Sequence, residues 1–244
     1  MQQFLFLAVS LLASVAGAIC GIGGGVIIKP VLDLFGLASV STISFLSGCT
    51  VLSMSAYSVG KGLISRDSAV DLKSGTYLAV GAAVGGVCGQ QLFALVRGLF
   101  ENQDTVGAVQ AACLFVITLG TLVYTIRKAN IRTIRVQGAA PGVLIGLALG
   151  VMSSFLGIGG GPINLVVLGY FFSMETKTAA QNSLYIILFS QITNLLTTIV
   201  AGNVPEFEVL TLVLMVAGGI GGGMVGRFFT PPMDNRAVDK LFIG

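Results

Sequence analysis

The sequence predicts an all-α membrane protein made of two repeats of four apolar segments. Composition is the first reason: 55% of the residues are hydrophobic, 9% are charged and the mean hydropathy is +0.95. Soluble domains carry roughly 25% charged residues, so no soluble domain of ordinary size fits in the chain. The second reason is a glycine-rich motif that occurs twice. The third is a series of uncharged spans of about 20 residues, the length that crosses a bilayer.

The two copies of the glycine motif read GIGGGVII from Gly21 and GIGGGPIN from Gly157, 136 positions later. Glycine costs about 1 kcal/mol per helical position relative to alanine, so each copy should break a helix. The surrounding apolar stretches, residues 4–35 and 142–172, would form straight helices near 45 Å, longer than the ~30 Å hydrocarbon core. We therefore expect two shorter helical pieces in each stretch.

A helix break at corresponding places in two halves of a membrane protein indicates a binding site at the repeat interface of a transporter. The alternative is that the glycines only allow a broken helix to pack tightly. The remaining predicted spans cover residues 40–58, 77–96, 106–126, 179–200 and 209–229.

The repeat continues beyond the motif. Ser47 corresponds to Ser183, and a glycine triplet in the first half has a counterpart in the second. The triplets are Gly81, Gly85 and Gly89, and Gly218, Gly222 and Gly226. Their small-xxx-small spacing predicts close helix packing. The organisation expected is a first repeat over residues 1–126, a basic cytoplasmic linker over 127–137 and a second repeat over 138–244.

The second repeat is expected to be truncated before its last helix. The first repeat's last span ends near Ile126, and its counterpart would end well beyond Gly244. The stretch from Val238 reads as the opening of a helix. A natural form with one helix fewer is the alternative.

Basic residues indicate how the two repeats are oriented, because basic loops face the cytoplasm. If each broken segment is re-entrant, the repeats are inverted, with 11 Lys and Arg inside and only Arg97 outside. If each crosses once, the repeats are parallel and the loops hold 7 inside and 5 outside. The inverted arrangement is favoured.

The predicted substrate is a small anion. A helix N-terminus offers unpaired N–H groups and a positive dipole end, and a helix should begin after each motif. Amides and hydroxyls on the following helices can donate hydrogen bonds to an oxyanion without a buried charge, although hydrogen bonding between helices is an equal alternative. The candidate substrate-binding residues are Gly23, Gly24, Gly25, Gly159, Gly160, Gly161, Asn164, Ser47, Gln181, Asn182, Ser183, Asn194 and Lys29.

Lys29 is the basic residue deepest in a repeat segment. A charge inside a membrane segment is a functional candidate, but lysine can also extend to the interface, and the two readings have equal weight. The chain has no histidine, and its four cysteines form no CxxC pair, so neither a metal site nor a cofactor is expected. With no acidic residue central in a span, we do not expect an enzyme.

The doubled GxGGG motif resembles that of the TauE/SafE family of sulfite and sulfonate exporters, and the resemblance covers essentially the whole chain. The residues that carry it are Gly21, Gly23, Gly24, Gly25, Pro30, Gly157, Gly159, Gly160, Gly161 and Pro162, with Ser47, Asn182 and Ser183 in the small-polar segments that follow. Lys29 departs from the apolar residue expected there. The resemblance implies a permease for small sulfur oxyanions or organosulfonates in the inner membrane.

The function expected is therefore a multi-pass membrane permease that moves sulfite, thiosulfate or an organosulfonate by alternating access. An anion channel or a non-transporting membrane scaffold is the alternative. The partners expected are the anionic substrate and the lipid bilayer, without nucleic acid. A homo-oligomer is also compatible with the sequence.

Overall fold

The computed structural model describes residues 2–65, 70–99, 103–156, 160–230 and 233–243, and the regular secondary structure of this part is helical, with no strand. The helices are α1 (Gln2–Cys20), α2 (Gly25–Phe35), α3 (Val40–Ile64), α4 (Leu72–Leu99), α5 (Gln103–Arg127), α6 (Ala139–Leu156), α7 (Pro162–Phe172), α8 (Thr176–Val200), α9 (Val209–Phe229) and α10 (Asn235–Ile243). A single 3₁₀ turn, Lys128–Asn130, follows α5.

Both glycine motifs interrupt a helix, as predicted. Between α1 and α2, Gly21, Gly23 and Gly24 have φ of 75°, 82° and 70°, a region that side-chain-bearing residues rarely adopt. Between α6 and α7, Gly160 and Gly161 have φ of 119° and 140°. The remaining glycines of this motif, including the candidate Gly159, lie outside the described residues. Each apolar stretch of about 30 residues is thus divided into a long and a short helix, here named the first and second broken segments.

Six helices in the described part are long and apolar enough to cross a membrane: α1, α3, α5, α6, α8 and α9. All six carry large apolar side chains that are mostly exposed: Phe4, Ile64, Phe115, Leu144, Val200 and Phe228 are examples. A bilayer would cover such surfaces. The chain is therefore a multi-pass membrane protein.

The glycine triplets hold two helix pairs together. α4 packs along α6, and α9 packs along α1. A Cβ added at Gly81 or Gly85 would lie 2.1 Å from a carbonyl oxygen of α6, and one at Gly222 would lie 2.5 Å from Cβ of Ser14 on α1. The backbones are in direct contact at these positions, which confirms the predicted packing role of the triplets.

Hydrogen bonds between distant segments show which of them lie at the same end of the molecule. At the linker end, the N–H groups of Ile134 and Val136 donate to the last carbonyls of α7, on Tyr170 and Phe171, at 2.7 and 2.8 Å. The start of α6 follows the same linker. Both outer ends of the second broken segment therefore lie at the linker end.

The first broken segment has its outer ends at the other end of the molecule, here named the far end. Gln2 at the start of α1 donates to the carbonyl of Leu37, just after α2, at 3.2 Å. Gln3 donates to Glu208 at 2.8 Å, and Thr42 at the start of α3 donates to the carbonyl of Glu206 at 3.0 Å. The loop between α8 and α9 therefore shares this end with the open ends of α1 and α2.

Candidate functional site

The glycine tips of the two broken segments meet on one helix, α8. A Cβ added at Gly23 would lie 3.2 Å from Cδ1 of Ile187, and one at Gly160 would lie 2.4 Å from Cγ1 of the same residue. Gly21 is equally close to α8, because an added Cβ would lie 2.3 Å from Cα of Ala180. The lack of side chains at the tips is therefore what lets both segments reach α8.

One side chain of α8 joins the two segments. Ser183 donates its hydroxyl hydrogen to the carbonyl oxygen of Gly21 at 2.5 Å, and it accepts a hydrogen bond from Nδ2 of Asn164 in the first turn of α7 at 3.3 Å. Ser183 has 0% of its surface exposed and Asn164 has 1%. Two predicted residues and one tip carbonyl thus form a continuous buried chain of hydrogen bonds.

A crevice beside this chain, here named the central pocket, is lined by polar side chains without partners. Oγ of Ser153, Oδ1 of Asn164 and Oγ of Ser190 are buried, and none makes a hydrogen bond in the described structure. The exposed fractions of these residues are 4%, 1% and 2%. An unpartnered buried polar group costs about 1–3 kcal/mol, so these three oxygens have unused hydrogen-bonding capacity.

The central pocket is closed in this conformation. Its remaining lining consists of Ala82, Leu149, Gly150, Gly160, Ile186 and Ile187, and the space between the walls does not admit a water molecule. Gly160 and Ile187 form its wall toward the glycine tips. Some widening is therefore needed before a ligand enters.

Two helix N-termini add positive potential to this region. The first N–H groups of α2 and α7 have no acceptor within their own helices, and their dipoles favour an anion nearby. Gly24 and Gly25 stand at the start of α2, but Gly24 is also in tight contact with α1, where an added Cβ would lie 3.0 Å from the carbonyl oxygen of Ala13. At α7, Gly161 is the N-cap and Pro162 occupies the first helical position, as predicted.

Lys29 lies at the broken end of α6, on the side of the second segment. Its ammonium group, with 6% of the residue exposed, donates to Oε1 of Gln110 at 3.0 Å and to the carbonyl of Leu156 at 3.3 Å. Gln110 in turn donates to the carbonyl of Phe155 at 2.6 Å. A cation at a helix C-terminus compensates its negative dipole end, so Lys29 links α2 and α5 to the break in α6.

The other predicted residues lie away from the central pocket. Asn182 is fully buried, accepts from the N–H of Asp71 at 3.2 Å and donates to the carbonyl of Thr178 at 2.8 Å, so it ties α8 to the start of α4. Ser47 is buried on α3, Asn194 is half-buried one turn beyond Ser190, and Gln181 lines a cavity at the linker end.

Within the described residues, larger cavities flank the central region. At the linker end, one of about 370 Å³ reaches Cys20, and its rim holds a salt bridge of 2.6 Å between Lys128 and Asp239. The second, of about 200 Å³ and here named the basic cavity, includes Lys177, Gln181 and Arg227. A third, of about 600 Å³, opens at the far end between α1, α3 and the 206–208 loop.

Three residues that line the central pocket or the basic cavity, Ser153, Ser190 and Arg227, are not among the candidate substrate-binding residues predicted from the sequence. Ser190 lies seven residues after Ser183, and helical spacing places both on one polar stripe of α8 with Asn194, but only Ser183 and Asn194 of these were predicted to bind substrate. Ser153 precedes the second motif, and its repeat counterpart is Gly17, so the duplication gives no signal for it. Arg227 is one of the 11 basic residues that the inverted arrangement assigns to the inside, and its guanidinium donates to the carbonyl of Ser58 at 2.8 Å in the basic cavity.

Comparison with known proteins agrees with this architecture. Residues 6–244 match the family model described as "Sulfite exporter TauE/SafE". A relative from Bacillus subtilis (strain 168), named "Probable membrane transporter protein YunE", is 25% identical over 261 aligned positions, which cover 98% of this chain and 92% of the relative. No solved structure matches. The match over nearly the whole chain shows that this protein is a membrane transporter of the TauE/SafE family.

Proposed function

We propose that the protein carries a small sulfur-containing anion, such as sulfite, thiosulfate or an organosulfonate, and that the anion binds in the central pocket. The observation that carries the proposal is the set of three unpartnered buried oxygens on Ser153, Asn164 and Ser190. Hydroxyl groups can donate to an oxyanion. No carboxylate lines the pocket in the described part of the chain, so no fixed negative charge opposes an anion there.

The mechanism proposed is alternating access about the two glycine tips. Cavities of about 370 and 600 Å³ lie toward opposite ends, and the central pocket between them is closed. Movement of one broken segment relative to α8 would open the pocket to one end at a time. The contacts at Gly21 and Gly160 are the ones that such movement has to change.

The membrane arrangement proposed is an inverted repeat in the cell inner membrane, with the linker end in the cytoplasm. The positions of the outer ends support it, because α1 and α2 share the far end whereas α6 and α7 share the linker end. The two halves also exchange packing partners, as a two-fold relation between them predicts: α4 of the first half packs on α6, and α9 of the second half packs on α1.

Counterflow in proteoliposomes tests the proposal. Vesicles loaded with unlabelled sulfite should accumulate ³⁵S-sulfite transiently, and uptake should saturate with concentration. Ser190→Ala should raise the half-saturating concentration at least about tenfold, because one hydrogen bond to a charged ligand is worth roughly 1.5–3 kcal/mol. Thr193→Ala is the matched control, since its hydroxyl bonds only to the carbonyl of Phe189 in its own helix. Conductance without counterflow or saturation would instead show a channel.

A further inference from the structure

The hydrogen-bond chain at the glycine tips fixes which atom of Asn164, a lining residue of the central pocket, is left without a partner. Ser183 has one hydroxyl hydrogen, and it is donated to the carbonyl of Gly21. Ser183 can therefore act toward Asn164 only as an acceptor. The NH₂ group of Asn164 must point at Ser183, as it does at 3.3 Å, and Oδ1 is left as the free group. A reversed amide would bring two acceptor oxygens together.

The central pocket consequently holds one obligate acceptor beside two hydroxyls. Oδ1 of Asn164 accepts but cannot donate, whereas the hydroxyls of Ser153 and Ser190 can do either. A fully deprotonated dianion would place an oxygen against Oδ1 with no hydrogen between them. An anion that still bears a hydrogen on oxygen satisfies all three side chains.

We infer that Asn164 makes the site selective for a hydrogen-bearing monoanion, so that the bound form of sulfite is bisulfite (HSO₃⁻) and not SO₃²⁻. This inference rests on the proposed function. Three oxygens could alternatively coordinate a small cation such as Na⁺. The position of Asn164 in the first turn of α7 opposes that reading, because the positive end of the helix dipole points toward the site.

Thermal stabilisation of the purified full chain by sulfite and by sulfate tests the inference, because a ligand that binds only the folded state raises the unfolding temperature. At each pH, the shift is taken relative to the ligand-free protein at that pH. With sulfite, the half-maximal total concentration should fall about tenfold as the pH is lowered and bisulfite replaces SO₃²⁻. Methanesulfonate, a monoanion without a hydrogen on oxygen, and sulfate, a dianion, should each stabilise the protein less than bisulfite does. Their half-maximal concentrations should not change with pH, so both are controls for titration of the protein.

Two variants separate selectivity from folding. Asn164→Leu removes the acceptor and should reduce the tenfold preference for bisulfite to less than twofold. Ser183→Ala frees the amide to rotate and present its NH₂ group, so binding of SO₃²⁻ should improve relative to bisulfite while Asn164 is retained. If Asn164 and Ser183 had only a structural role, both variants would unfold at a lower temperature. The ratio of the half-maximal concentrations of SO₃²⁻ and bisulfite would then not change.

The outcomes distinguish the two proposals. If no anion stabilises the wild-type protein at any pH, anion binding itself fails. If sulfite stabilises it with the same half-maximal total concentration at every pH, the proposed function stands and the role assigned to Asn164 is overturned. If Na⁺ concentration, and not pH, sets the stabilisation, the three oxygens bind a cation and the inference is likewise overturned.

Discussion

The hydroxyl group of Ser183 donates to the carbonyl oxygen of Gly21 at 2.5 Å and so connects α8 to the first glycine tip. The carbonyl is at a helix break, where intrahelical partners end, and a buried carbonyl left without a donor costs about 1–3 kcal/mol. This contact therefore both stabilises the break and couples the position of the first tip to α8. Because Asn164 bonds to the same hydroxyl, the coupling extends to the second segment.

Removing this hydroxyl should destabilise the protein. Ser183→Ala leaves the Gly21 carbonyl and the Asn164 amide without their partner, so we expect the free energy of unfolding to fall by about 1–3 kcal/mol. Thermal unfolding in detergent measures the change. Thr193→Ala on the same helix should shift the unfolding temperature far less, since Thr193 bonds only to its own helix. Equal shifts for both variants would contradict a special role for Ser183.

The contact between α4 and α6 should not tolerate a single methyl group. At Gly85 an added Cβ would lie 2.1 Å from the carbonyl oxygen of Leu147, so Gly85→Ala should force the helices apart and cost about 1–3 kcal/mol or more. Gly120 on α5 is the control, because nothing lies within 4 Å of its added Cβ. There the alanine should stabilise the helix by about 0.5–1 kcal/mol. Unfolding in detergent compares the two, and a stable Gly85→Ala protein would exclude the packing described.

The contribution of Lys29 to stability and transport should depend on its positive charge as well as on the length of its side chain. Lys29→Met leaves the Gln110 side chain and the Leu156 carbonyl without a donor, and we expect it to lower both the unfolding temperature and the rate of sulfite counterflow. Lys29→Arg keeps a cation at the end of α6 and should retain more of both. If methionine and arginine variants behave alike, the positive charge at this break has no role.

The helices could be predicted from the sequence, because their signals are local. The predicted span 209–229 coincides with α9, and the two glycine-broken stretches appear as α1 with α2 and α6 with α7. Helix ends were less predictable: α3 continues to Ile64, six residues beyond the predicted span, since its polar last turns remain helical.

The candidate site was predictable only where the duplication points to it. Gly160, Asn164 and Ser183 come together, but Ser183 and Asn182 are neighbours in sequence and face different partners, one the glycine tip and the other the start of α4. Which side of a helix meets which neighbour depends on packing between distant segments. Ser153 shows the limit most clearly, because only the fold brings it near Ser190.

The two ends of the molecule should be labelled from opposite sides of the membrane. On a background without native cysteines, Asn203→Cys at the far end should react with an impermeant maleimide from the periplasm, and Ser65→Cys should react only from the cytoplasm. Both positions are exposed, so accessibility is not limited by burial. Labelling of both from the same side would favour parallel repeats over the inverted arrangement.

Arg227 should assist the anion at the linker end. The basic cavity holds Arg227 and Lys177, and no acidic residue lines it in the part of the chain described, whereas the larger cavity nearby includes Glu175 and Asp239. An anion approaching from this end should therefore favour the basic cavity. Ala18 and Leu184 line that cavity and belong to the same buried apolar cluster as Ile187, which contacts the glycine tips.

Arg227→Gln should accordingly raise the half-saturating sulfite concentration at least about tenfold for transport that starts at the linker end, since one charged hydrogen bond is lost. Transport from the far end should change less than twofold. Lys128→Gln removes a positive charge at the same end but beside Asp239, and it is the control that should leave the half-saturating concentration nearly unchanged. Uptake into right-side-out and inside-out vesicles separates the two directions. An equal loss in both orientations, or a larger effect of Lys128→Gln, would show that the anion does not use the basic cavity.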